Sequence, residues 1–343
     1  MTTDGPVPRP DGGGPPPGLS SIEQRIIAAE DALADGLGIA ITASWVEVPV
    51  IGGRVRVLTH SRDATAMSDS SATVLLHGAT LPAAWYLPLM AHLRGTVVAV
   101  DLPGHGCSDG MDPRHTDLRR ALVAVVTAVI ARCGGRPATI VGNSLGGIAA
   151  LWTALDAPHL VDRCVLLGAP GVAFGGRADL ALGMLAVPPI ARAILAGRSS
   201  PPLYARVLAG SLDEPALRQV PDLGRGAYWS SRRPVFRRTI PRVLADLLSF
   251  RTPRPRRVLS ADELGAITVP TRVAWGRRER FTTVEDARAT RMPDATLHIV
   301  YGGHVPWLTD PSGIARLVTD ATNSARTADA QPMAHGTRGE PST

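Results

Sequence analysis

The apolar positions change their period along the chain. Near the start, Ile22, Ile26, Ala29 and Leu33 recur at helical spacing behind Ser20, Ser21 and Glu23, a cap signature that predicts a helix. Residues 44–50 alternate, and 55–59 follow a Gly52-Gly53 turn, so two short strands are expected there. Continuous apolar runs then take over at 73–76, 97–100, 138–141, 164–167, 271–275 and 297–300, most of them ending at glycine or a polar residue. Helix-period stretches at 118–132 and 148–155 separate some of these runs. Strands apolar on both faces, alternating with helices, predict an α/β fold with a mostly parallel sheet covered on two sides. Open sheets of this kind place their sites at the carboxyl ends of the strands, where the polar and glycine residues gather.

Residues 172–259 break the alternation. Their pattern is helical, interrupted by Pro188-Pro189, Pro201-Pro202, Pro221 and Pro234, and it carries no strand signal. A helical cap inserted into the core is expected, dividing that core into residues 20–171 and 260–322. The tails 1–19 and 323–343 hold little that could be buried and are expected to be disordered.

Composition sharpens this picture. The chain has 343 residues, 45% of them apolar, enough for a sizeable core. All 36 basic residues are arginine, so chemistry that needs an amine, such as a Schiff base or a P-loop lysine, is excluded. Absent lysine, 30 prolines and 35 glycines together suggest a high-GC bacterial genome such as an actinobacterium's. The net charge of +6 is local in origin: nine arginines and one acid lie between Arg232 and Arg257. The rest of the chain is slightly acidic, which argues against a nucleic-acid surface. Cys107, Cys133 and Cys164 are an odd number without metal-ligand spacing, so neither a disulfide framework nor a zinc site is indicated. With neither an apolar leader nor an apolar run of membrane-spanning length, a soluble cytoplasmic protein without membrane association is expected.

The chemistry concentrates at Gly142-Asn143-Ser144-Leu145-Gly146-Gly147, between the run 138–141 and an alanine-rich helix. This is the strand, turn and helix context of a nucleophile elbow, in which a strained turn lifts a serine hydroxyl clear of the backbone. A serine nucleophile needs a base of near-neutral pKa, and His304, on a late loop after the run 297–300, has the best context of the nine histidines. The base in turn needs an acid to fix its tautomer. Glu279, in the loop after 271–275, is the candidate, with Glu285, Asp286 and Asp294 as rivals. Two backbone N–H groups should meet the oxyanion: that of Leu145, directly after the serine, and that of Ala79 in the His77-Gly78-Ala79 loop. His77 is expected to be a structural hydrogen-bonding residue.

These motifs together resemble the α/β-hydrolase superfamily over residues 44–315. The resemblance rests on Leu76-His77-Gly78, on the run from Asp101 to Asp109 with Pro103-Gly104-His105-Gly106 inside it, on the serine elbow, on Trp275-Gly276, and on Gly303-His304 with Asp310-Pro311 behind it. It implies a mostly parallel eight-stranded sheet with helices on both faces, a helical cap after the sixth strand and, in hydrolytic members, a covalent acyl-enzyme; a serine hydrolase without metal or cofactor is the first expectation. The N-terminal helix and the glutamate in the acid position are similar to a branch of bacterial carboxylesterases. Serine at 144 excludes the aspartate-nucleophile epoxide hydrolases and dehalogenases of this fold. The missing lysine excludes hydroxynitrile lyases.

The expected partner is a small ester- or lactone-bearing substrate, with a polyketide intermediate of specialised metabolism as one source. Elimination of the acyl group, carbon–carbon hydrolysis and ligand binding without turnover are the other readings of the same residues. Trp85, Tyr228, Trp229 and Trp307 are candidates to line the pocket. The Arg232–Arg257 cluster reads either as a recognition site for an anion or, more plainly, as a solvated face in a chain that uses arginine where others use lysine.

Overall fold

Local rules start the fold where the pattern predicts. In the computed structural model, which describes residues 18–62, 71–290, 292–320 and 330–332, the first helix α1 (Ser21–Leu37) opens on a capping box. The Glu23 N–H donates to the Ser20 hydroxyl, and the Glu23 carboxylate accepts from the Ser20 N–H at 2.9 Å. The expected tails 1–19 and 323–343 fall almost wholly outside the described residues.

The strands are β1 (Thr42–Val48), β2 (Gly53–Arg62), β3 (Thr73–Leu76), β4 (Gly95–Val100), β5 (Ala138–Asn143), β6 (Val161–Leu167), β7 (Leu248–Ser249), β8 (Thr252–Pro253), β9 (Thr271–Gly276), β10 (Ala295–Val300) and β11 (Ala330–Pro332). The main sheet runs β1-β2-β4-β3-β5-β6-β9-β10-β11, and β7 and β8 form a separate hairpin. Pairing is parallel from β4 through to β10 and antiparallel among β1, β2 and β4. The expected eight strands are therefore joined by a ninth, β11, which pairs antiparallel with the edge strand β10. An open edge of unpaired N–H and C=O groups offers such a segment its partners.

Further helices follow in chain order: α2 (Leu87–Met90), α3 (Leu118–Arg132), α4 (Leu145–Asp156), α5 (Leu180–Leu185), α6 (Pro188–Ala196), α7 (Pro201–Ser211), α8 (Pro221–Arg232), α9 (Pro234–Leu247), α10 (Ala261–Gly265), α11 (Val284–Ala289) and α12 (Pro311–Thr319). The continuous apolar strands are explained by two cores. Val74 and Leu76 of β3 pack with Leu122 and Val126 of α3 and Ile148 of α4, whereas Leu75 between them packs with Leu33 of α1 and Ile314 of α12. Each strand thus buries both faces, and alternation is lost from its sequence.

Between β6 and β9 the chain forms α5 to α9, the small hairpin and the short α10. The prolines that interrupt this region in the sequence open its helices: α6, α7, α8 and α9 each carry proline in the first helical positions. There the missing N–H is no loss and the fixed φ suits the helix. Helix α8 packs against α1 and α7, and α9 buries Phe236, Ile240 and Leu244 in the same core as Ile148.

Most of the arginine cluster fastens this region down. Arg233 is buried and donates to the carbonyls of Gly106 and Ser108 at 2.8 and 2.9 Å, and it pairs with Glu23 of α1 at 2.6 Å. Arg242 pairs with Asp112, Arg256 and Arg257 with Asp246, while Arg251 and Arg254 donate to the carbonyls of Ala178 and Ala245. Beside them a buried pair, Arg56 and Glu30, joins β2 to α1 through contacts of 2.7 and 3.0 Å.

Candidate active site

Strand order places the site. The chain leaves β3 towards β4 on one side and leaves β5 towards β6 on the other, so the crevice lies beyond the carboxyl ends of the adjacent strands β3 and β5. Ser144 stands there, between β5 and α4, with φ 50° and ψ −113°. A non-glycine residue held in that region is strained, and its neighbours enforce it. A Cβ on Gly146 would collide with the Leu76 carbonyl, and one on Gly142 with the Gly146 carbonyl. Glycine at both positions lets α4 close onto β3 and β5, and the Gly146 N–H reaches the His77 carbonyl at 3.0 Å.

His304 lies behind β10 and is almost fully buried. Its Nδ1 meets the Glu279 carboxylate at 2.8 Å, with the two side chains 3% and 1% exposed. A carboxylate can only accept here, so Nδ1 carries the proton and Nε2 is left with its lone pair. Burial raises the Glu279 carboxyl pKa, but the His304 ring and the N–H groups of Ala169 and Phe281 outweigh it and hold the carboxyl below its ordinary value. Ala169 donates at 2.8 Å and Phe281 at 3.0 Å. The rivals do not meet the histidine: Glu285, Asp286 and Asp294 are exposed, and Asp286 caps α11 through Thr283.

Sequence reading missed two residues that tie these parts together. The Asn143 side-chain amide donates to the carbonyls of Leu167 and His304 at 2.6 and 2.8 Å, clamping the serine turn to the histidine loop. Glu214, from the segment after α7, is fully buried and accepts from the Gly303 N–H at 3.2 Å and the Thr309 hydroxyl at 2.6 Å. Asn143 stands inside the elbow motif, but nothing in the motif shows what its amide reaches. Glu214 carries no signal at all in its helical surroundings.

Ala79 and Leu145 flank Ser144, one after β3 and one at the start of α4. The Leu145 N–H is among the first of its helix, which have no acceptor within the helix. The Ala79 turn is held by two imidazoles. Leu102 N–H donates to His77 Nε2 at 2.9 Å, and Thr80 N–H donates to His105 Nε2 at 3.1 Å. Both rings must therefore be neutral, and burial lowers His77 to about 4 and His105 to about 3. His77 is structural, as expected.

Ser144, His304, Gly78 and Ala79 open onto a cavity of about 320 Å3, roofed by α5, α6 and α7 through side chains such as Leu182, Leu203 and Tyr204. The four aromatics expected to line it lie elsewhere. Trp85 and Trp307 are wholly buried, with their indole N–H groups on the carbonyls of Leu223 and Trp85 at 3.1 and 2.7 Å. Tyr228 spends its hydroxyl on the Ser199 carbonyl and packs edge-on to Tyr204, and Trp229 stacks under Arg25 of α1. Large aromatic rings with a polar handle suit the core equally well, and here the core takes them. Phe281, not singled out in the sequence, lines the cavity and lies 4.2 Å from the His304 ring, centre to centre. Of the nine clustered arginines, Arg232 reaches the cavity wall.

Comparison with known proteins agrees with this architecture. The profile of the alpha/beta hydrolase family matches residues 73–317. The chain belongs to that family, and it is an enzyme of the serine-hydrolase type. It is similar to an esterase of Mycobacterium tuberculosis, 26% identical over 260 residues, covering 71% of this chain and 80% of the relative. An uncharacterised protein of the same organism is 29% identical over 239 residues, covering 66% of this chain and 67% of its own. Among solved structures, the carboxylesterase CesB of Bacillus subtilis superposes with a TM-score of 0.63 at 20% identity, over 87% of this chain and 97% of that one. Among the described residues, no helix is long and apolar enough to cross a membrane, and no group of three or more His, Cys, Asp or Glu could hold a metal ion.

Proposed function

We propose that the chain hydrolyses a carboxylic ester or lactone through an acyl-enzyme on Ser144, with His304 as base and Glu279 as its orienting acid. The observation that carries this reading is the buried 2.8 Å contact between Glu279 and His304 Nδ1, which leaves Nε2 as acceptor in a cavity that Ser144 also lines. The esterase and carboxylesterase among the similar proteins support the reaction class.

The Ser144 hydroxyl attacks the carbonyl carbon as its proton passes to His304 Nε2. The oxyanion meets the N–H groups of Ala79 and Leu145, each worth about 3–4 kcal/mol of barrier in comparable sites. Collapse breaks the carbon–oxygen bond of the ester, and His304 returns the proton to the leaving alcohol. Water then repeats the sequence on the acyl-serine and releases the acid. Glu279 stays charged throughout and stabilises the imidazolium.

The test is a stopped-flow trace with p-nitrophenyl acetate, followed by analysis of products from alkyl esters. The wild type should show turnover to alcohol and acid, and Ser144→Ala should lose about 10^4-fold or more in kcat. An alkene in place of the alcohol would replace hydrolysis by elimination. Unchanged turnover in Ser144→Ala would overturn the reading.

A further inference from the structure

Ser144 opens onto two spaces of unequal size. The larger, about 320 Å3, contains His304 in its wall. The smaller is a recess of about 30 Å3 whose lining includes Leu145, Ile148, Val172, Leu244 and Leu247 but not His304. Leu182 and Phe281 border both spaces, so they stand as the partition. The inner wall of the recess belongs to the core, with Ile148, Leu244 and Leu247 0%, 1% and 4% exposed, while Gly175, Pro253 and the exposed Arg177 line it towards the surface.

The chemistry of the step assigns the two halves of an ester to these spaces. The leaving oxygen must lie next to the group that returns its proton, which is His304 Nε2. The leaving alcohol therefore points into the larger cavity. The substituent on the carbonyl carbon points the other way, into the recess between Leu145 and Leu247. A space of this size holds about one or two water molecules, so it accepts a methyl group and rejects a long chain. The buried part of its wall, at Ile148, Leu244 and Leu247, does not yield to extra methylenes without strain.

The mouth of the larger cavity is apolar and open. Ile194, Leu203 and Val207 line it and are nevertheless 44%, 49% and 52% exposed. An apolar lining left open to solvent suits a bulky apolar group that extends beyond the cavity.

We propose that the enzyme selects esters of a small acyl group, of acetyl size, with a large and mainly apolar alcohol. The selection rests on the reading of Ser144 as nucleophile and His304 as proton donor. Acetyl passes from the alcohol oxygen to Ser144 Oγ, the alcohol leaves with the proton from His304, and water converts the acetyl-serine to acetate and serine.

The test uses two isomers with the same atoms, octyl acetate and methyl nonanoate. They differ in which side of the ester carries the long chain. The wild type should prefer octyl acetate by about tenfold or more in kcat/KM, the scale on which a pocket discriminates a few methylenes. Leu247→Ala should enlarge the recess and narrow that preference several-fold. Ile148→Val, a milder change, should narrow it in the same direction in case Leu247→Ala fails to fold. A preference for methyl nonanoate, or none, overturns the assignment while leaving ester hydrolysis intact. Labelling of Ser144 by p-nitrophenyl phosphonates bearing a methyl or a hexyl group, read by mass, separates the two readings. Faster labelling by the methyl reagent without turnover of either ester upholds the recess and removes ester hydrolysis. No labelling by either reagent removes both.

Discussion

The turn at Ser144 and the helices α5 to α9 above it are built under different constraints. At the turn, backbone geometry dictates the residues. Gly142 and Gly146 are there because a side chain would strike a neighbouring carbonyl, and Ser144 is held at positive φ by the strand before it and the helix after it. In the helical region, residues need only be apolar on the buried face and able to start helices, and many sequences satisfy that. The first kind of constraint leaves a signature of fixed spacing. The second leaves composition, which says that helices are present and not which side chains meet over the serine.

Substitutions separate the two kinds of constraint. The largest effect after loss of the serine itself is expected at Glu279. Glu279→Gln keeps the size of the side chain but removes the charge proposed to orient His304, so kcat should fall about 10^3- to 10^4-fold with an unchanged circular dichroism spectrum. A loss below tenfold would move the acid to another residue.

Next comes Gly146→Ala, whose Cβ would collide with the Leu76 carbonyl. It should lower the unfolding free energy by about 3 kcal/mol or more, or prevent folding, as measured by urea denaturation. Gly210→Ala makes the matching test in α7, where a Cβ meets nothing within 4 Å. There the same chemical change should stabilise by about 0.5–1 kcal/mol. Equal responses at the two glycines would contradict the distinction drawn between the regions.

A smaller and graded effect follows from the two imidazoles that hold the Ala79 turn. Both stay neutral in the folded protein down to about 4 and about 3, against an ordinary value of 6.5. Between those limits the unfolded chain binds more protons, so the stability they confer is complete above 6.5 and is lost as the pH falls. The limiting slope is about 1.4 kcal/mol per pH unit for each ring. Denaturation at pH 7 and pH 5 should show a larger acid loss in the wild type than in His105→Gln. The same loss in both would mean that His105 carries a proton in the fold.

What the sequence made legible follows the same division. The sheet was readable because buried strands show as unbroken apolar runs such as 138–141, and the candidate site was readable as a juxtaposition because Ser144, Glu279 and His304 each follow such a run. The two-sided core also explains why Trp85 and Trp307 misled: a large ring after a strand fits a pocket wall and a core equally, and only packing decides. Asn143, Glu214 and Phe281 act through contacts with segments far away in the chain, from Leu167 to His304, and no spacing rule reports those. The arginine cluster turned out to fasten loops, with Arg233 and Arg257 bound to partners that lie on other elements.

The central claim is that Ser144 becomes acylated during turnover. Mixing the enzyme with p-nitrophenyl acetate, quenching in acid within the first turnover and mapping peptides by mass tests it directly. One acetyl group is expected on the peptide that contains Ser144, formed in the burst and absent from Ser144→Ala. Turnover with no adduct, or an adduct at another residue while Ser144→Ala remains active, would contradict it.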